Sequence, residues 1–169
     1  ANPADPDLYY ALGYNSFGQG QVAAAIISFE QALDIDSDFA AAYDGLAHMY
    51  IQLGDDALAI DNARQSVELN PNVARAWGRL GEAYFRQSNY IQAVTALEEA
   101  VTIYETADPI NARFFNMLAR AYVFDSLDNC PQAIPYFESV LEVSTNELLV
   151  DAALLGLTDC RRAALESGS

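Results

Sequence analysis

Residues 77–100, WGRLGEAYFRQSNYIQAVTALEEA, hold two apolar patterns of helical period separated by the breaker pair Ser88-Asn89. Trp77, Leu80, Gly81 and Tyr84 fall three or four apart in the first half, and Ala93, Leu97 and Ala100 do so in the second. Neighbours at that spacing share a face of an α-helix, and small residues among them let a second helix approach closely while large ones fill the gap. The stretch therefore predicts a helical hairpin.

The same arrangement recurs along the chain. A small residue followed three later by Tyr or a stand-in occurs at Gly13/Ser16, Ala47/Tyr50, Gly81/Tyr84 and Ala119/Tyr122, in steps of 34, 34 and 38 residues. Tyr9, Tyr43, Trp77 and Phe115 stand four before each small residue, and Ala25, Ala59, Ala93 and Ala133 mark the second helices. Ala32, Ser66 and Ala100 follow seven later, with Val140 in the fourth unit. A period near 34 is the signature of a helical solenoid, in which no unit buries its apolar face alone.

On these residues the chain resembles the tetratricopeptide repeat family, with residues 77–100 the nearest match. The resemblance implies an all-α, right-handed superhelical solenoid in a single domain over 1–169. Its units are approximately 6–39, 40–73, 74–111 and 112–146. Residues 147–165 read as one more helix, apolar on one side and carrying Arg161 and Arg162 near its end, the cap that repeat arrays require. Asp5-Pro6 and Asp108-Pro109 place a capping carboxylate before a Pro at the first helical position. The step of 40 from Ala93 to Ala133 lengthens both the junction before the fourth unit and the turn inside it.

Charge limits the partners. The 169 residues include 24 acidic against 8 basic, net −16, and every basic residue is Arg. Such a chain repels a phosphate backbone, which argues against nucleic acid and anionic membrane surfaces. There is no charge-free apolar run of about 18 residues to span a bilayer, and the first residues lack the basic and apolar regions of a signal peptide. The numbering begins at the lip of the first unit, as expected of a piece of a longer protein.

The family resemblance also implies that the first helix of each unit lines a concave groove. Its exposed positions correspond to Tyr10 and Tyr14, Asp44 and His48, then Arg75, Arg79, Glu82 and Arg86, and finally Arg113, Asn116 and Arg120. Five of the eight arginines thus map to one surface of an acidic protein. Guanidinium forks grip carboxylates bidentately and Tyr rings add contact area, so the expected ligand is a carboxylate-bearing peptide or protein segment. Against this stands pairing of Glu82 with Arg79 and Arg86 along one helix. Some family members hold the C-terminal carboxylate of chaperone tails with a basic, Asn-rich clamp. Arg75 and Arg79 match its two basic positions on a third helix, but Tyr10, Tyr14 and Gly45 stand where Lys and Asn would be required.

Cys130 and Cys160 are symmetric about residue 145, so a helical hairpin turning near 144–146 would set them opposite each other, within the roughly 7 Å between Cα atoms that a disulfide needs. A bond there implies an oxidising compartment, hence a lean toward an extracytoplasmic location; two buried thiols in a cytoplasmic protein are the alternative. No cofactor, metal or catalytic site is expected. Asp34, Asp36 and Asp38 begin like a calcium loop, but Phe39 and Gly45 stand where Gly and Glu are needed. His48 is the only histidine, and in a stack that contacts only neighbours it lies two units from the cysteines. The reading is a non-enzymatic interaction scaffold, with self-assembly through the cap helix or the uncovered first helix as the alternative.

Overall fold

The computed structural model of the chain describes residues 5–167. Among these, nine α-helices follow one another without a strand. They are α1 (Pro6–Gly18), α2 (Val22–Ile35), α3 (Ala40–Leu53), α4 (Asp56–Leu69), α5 (Ala74–Arg86), α6 (Tyr90–Tyr104), α7 (Ala112–Asp125), α8 (Cys130–Val143) and α9 (Glu147–Ser167). A 3-10 turn over Leu127–Asn129 precedes α8 and takes up the extra residues of the fourth unit.

Each odd helix packs on the even helix that follows it and on the next odd helix, so α1, α3, α5, α7 and α9 form one continuous row. Small residues make these approaches possible. A Cβ built at Gly81 of α5 would lie 2.4 Å from Leu97 Cγ of α6, closer than any real Cβ contact, so hydrogen is what lets Leu97 fill that gap. The periodic alanines are fully buried: Ala25, Ala32, Ala59, Ala93, Ala100 and Ala133 are each 0% exposed. One apolar core under the first three helices, around Phe29 and Met49, meets a larger one running from Ala47 to Leu157, and Tyr50 packs against both.

Local signals place most boundaries. The Asp5 carboxylate accepts from the Asp7 amide ahead of Pro6 at the start of α1, and Asp55 accepts from Leu58 at the start of α4. Asp108 does something else. Its Oδ1 accepts from the amides of Ile110 and Asn111 and closes a turn, while the Asn111 side chain reaches back to the Asp108 amide and the Thr106 carbonyl. Helix α7 therefore begins at Ala112, three residues after Pro109. The local turn outcompetes the helix start that Asp-Pro suggests, because these short side chains bond their own backbone as readily as a helix end.

The cap helix is longer than its apolar pattern, reaching Ser167, and buries Ala153, Leu157 and Cys160 against the array. Cys130 opens α8 and is disulfide-bonded to Cys160 of α9, with 5.3 Å between Cα atoms. No helix among the described residues is long and apolar enough to cross a membrane.

Candidate functional site

The odd-helix row brings most of the expected groove residues together, and one carboxylate organises them. Asp44 of α3 is 1% exposed. Its Oδ2 accepts from Arg75 Nε at 2.9 Å, and its Oδ1 lies 2.5 Å from Arg79 Nη1, a charge contact without hydrogen-bond alignment. Arg79 Nη1 donates instead to the Asp44 backbone carbonyl at 2.6 Å. The first unit closes the cluster: Tyr14 accepts from Arg79 at 3.2 Å and Tyr10 from Arg75 at 3.3 Å. Burial raises the Tyr14 pKa, against the lowering influence of Arg79. Burial also opposes the Arg75 charge, but Asp44, Tyr14 and Tyr10 more than compensate and raise its pKa above the ordinary value.

This cluster couples three units. Arg79 is only 3% exposed, so its charge depends on Asp44. Removing one partner of such a pair leaves a buried charge, at a cost of about 3–5 kcal/mol. Arg75 and Arg79 thus share one carboxylate within the fold, Asp44, and neither pairs with Glu82. Arg86 lies apart from them, its Nε 2.5 Å from Asp56 Oδ1 on α4. Glu82 is half-buried and makes no ion pair among the described residues, so the intrahelical pairing with Arg79 and Arg86 does not form.

The fourth unit is different. Arg113 is exposed, with its guanidinium 4.4 Å from the centre of the Phe114 ring, and Arg120 lies 5.2 and 5.4 Å from the rings of Phe85 and Phe124. Neither makes an ion pair or hydrogen bond among the described residues, so cation–π contacts are what engage their guanidiniums and the N–H donors are uncommitted. Asn116 is 3% exposed, and its Oδ1 has no hydrogen-bond partner. His48 Nδ1 likewise lacks one; its ring sits 4.8 Å from Phe17 and 6.4 Å from Tyr14. Burial, then the nearby Arg79 and Arg113 charges, lower the His48 pKa to about 4, so the imidazole is neutral at physiological pH.

Two contributors were not visible in the periodicity. Tyr104, at the end of α6, stands close enough to Arg75, Arg113 and Arg79 for their charges to oppose the burial that raises its pKa. Phe85, Tyr90 and Phe124 form a mutually packed aromatic triangle, with centroids 5.4–5.7 Å apart, beneath Arg120. The i,i+4 spacing of Arg120 and Phe124 was the available signal for that triangle. No group of three or more metal-ligating side chains occurs among the described residues.

Comparison with known proteins gives a consistent family. Sequence patterns described as tetratricopeptide repeat match residues 6–39, 40–73 and 72–146. The chain is 29% identical over 114 residues to small glutamine-rich tetratricopeptide repeat-containing protein 2 of Mycosarcoma maydis, covering 64% of this chain and 31% of that protein. It is 27% identical over 141 residues to type IV pilus assembly protein PilF of Pseudomonas aeruginosa, covering 83% of this chain and 54% of PilF. It therefore spans about a third and about half of these relatives. The solved structure of P. aeruginosa PilF superposes with a TM-score of 0.76 at 26% identity, over 95% of this chain and 69% of that one. The first repeat domain of RPAP3 bound to the HSP90 peptide SRMEEVD shares the fold, with a TM-score of 0.64 at 22% identity over 72% of this chain and 93% of that one. With helix pairs at the repeat period and sequence patterns covering them from end to end, the chain belongs to the tetratricopeptide repeat family.

Proposed function

We propose that this chain is a non-enzymatic interaction scaffold whose odd-helix face binds a carboxylate-bearing segment of another protein, gripped at the fourth unit. One observation carries the reading: of the five arginines on this face, in a chain with 24 acidic residues, Arg113 and Arg120 are left without a carboxylate among the described residues. An acidic protein has internal anions to spare, so two uncommitted guanidiniums on one face suit an external anion. Arg75 and Arg79 serve a different role, holding three units in register through Asp44. That a related repeat domain has been solved with the acidic peptide SRMEEVD supports the class of ligand. The Cys130–Cys160 bond supports an oxidising, extracytoplasmic setting.

The test is capture of partners from extract of the source cell by the native chain and by an Arg113→Glu/Arg120→Glu variant of equal helicity, followed by mass spectrometry. Loss of a partner by the variant is the expected result. Equal capture overturns the fourth-unit grip. Exposed leucines on α9, Leu148 at 83% and Leu165 at 78%, favour self-association as a second reading, which sedimentation across a range of concentrations would reveal.

A further inference from the structure

The odd-helix row does not stop at the fourth unit. Helix α9 packs on α7 as α7 does on α5, so the cap continues the same face. Between α7 and α9 lies a pocket of about 250 Å³. Val123, Phe124, Phe137, Leu155 and Gly156 line it, and the partly exposed Arg120 borders it. Gly156 brings α9 directly onto α8 because it has no side chain: a Cβ there would lie 2.2 Å from Phe137 Cζ. Phe124 and Leu155 are 49% and 67% exposed, an apolar mouth that no described residue covers.

The charges at the rim are unequal. Asp159 also borders the pocket, but it is paired with Arg162 at 3.2 Å, whereas Arg120 is held only by the Phe85 and Phe124 rings. The rim therefore presents one uncompensated cation beside an apolar hole of side-chain dimensions. A second copy of this chain, with net charge −16, meets long-range repulsion at that surface; a short acidic segment with one apolar anchor matches both features.

We propose that the α7–α9 pocket is a docking site for a bulky apolar side chain, such as Leu or Phe, adjacent in its own sequence to an Asp or Glu that pairs with Arg120. The inference rests on the carboxylate-binding reading above and extends it by assigning α9 a share of the binding face. The cap is then a specificity element as well as a lid on the array.

The probe is a random heptapeptide library displayed on phage, selected against the full disulfide-bonded chain at moderate salt. Selection enriches peptides with a bulky apolar residue next to Asp or Glu. The best synthetic peptide binds about tenfold more weakly to Leu155→Asp, at an exposed position, and to Arg120→Gln, at a partly exposed one, with native helicity of both checked by circular dichroism. Within the peptide, changing the apolar residue to Ala costs wild-type affinity and costs Leu155→Asp almost nothing. Enrichment of acidic peptides without an apolar neighbour overturns the pocket and leaves the carboxylate reading standing. Apolar peptides without acids overturn the role of Arg120, and failure to enrich any motif overturns both.

Discussion

His48 shows what a single side chain contributes when its environment is made by residues far away in sequence. Its ring is half-buried beside Phe17 and Tyr14, and burial with the Arg79, Arg113 and Arg75 charges outweighs Asp44, lowering its pKa from the usual 6.5 to about 4. Between those values the unfolded chain binds a proton that the folded chain refuses, so stability rises with pH in that window. The contribution is complete above about pH 6.5 and is lost as pH falls toward 4. With a discount for the ring's partial exposure, its size is about 1 kcal/mol. Carboxylates titrate in the same range, so the comparison needs a variant in which they are unchanged. Urea unfolding of wild type and His48→Leu from pH 7 to pH 4 is expected to show the wild type losing about 1 kcal/mol relative to the variant. Parallel curves would remove His48 from the acid response. The family resemblance placed His48 on this face with Arg75, Arg79 and Arg113 but gave no sign of its charge state, because burial, the largest cause of the shift, comes from three-dimensional packing that residue types alone do not reveal.

At the scale of helices the decisive contacts are small residues against large ones, and Gly156 is a sharp case because two effects oppose each other. Gly→Ala within a helix ordinarily stabilises by up to about 1 kcal/mol. At Gly156 the added methyl meets the fully buried Phe137 ring, and overpacking of this kind costs about 1–3 kcal/mol. Gly156→Ala is therefore expected to lower stability, measured as a drop in urea midpoint, and to loosen α9, measured as faster proteolysis of its end once the disulfide is reduced. A stabilised variant would show that α9 is held mainly by its bond to Cys130. The helix pairs themselves were legible in the sequence, since the 34-residue period marks Ala25, Ala59, Gly81 and Ala93. The cysteine pairing was legible too, by symmetry about residue 145. Less visible was the start of α7, where Asp108 and Asn111 bind their own backbone, a competition of short-range hydrogen bonds that residue types alone do not rank. The site was half legible. The family resemblance grouped Arg75, Arg79, Arg86, Arg113 and Arg120 on one surface, and only three-dimensional contacts divide them into two that share Asp44, one paired with Asp56 and two without a carboxylate.

The whole molecule sets a long-range field against a short-range one. On the carboxylate-binding reading proposed above, an acidic ligand approaching a body of net charge −16 is repelled at a distance, yet at contact it meets Arg113 and Arg120. Salt separates the two effects because it screens distant charges first: the Debye length falls from about 30 Å at 0.01 M to about 8 Å at 0.15 M and about 3 Å at 1 M. At the lowest salt the full acidic surface acts on the ligand and association is slow. Near 0.15 M most of that repulsion is screened, while direct guanidinium–carboxylate hydrogen bonds of about 2.8 Å persist. At higher salt those contacts weaken as well. Affinity for an acidic peptide is therefore expected to pass through a maximum near 0.1–0.2 M, with the rise carried by the association rate and the later fall by the dissociation rate, both measurable by stopped-flow fluorescence. The Arg113→Gln/Arg120→Gln variant should keep the rise and lose most of the fall. A monotonic decline from the lowest salt would mean that the arginines dominate the field at every distance, and that the acidic exterior plays no part in selecting what reaches the fourth unit.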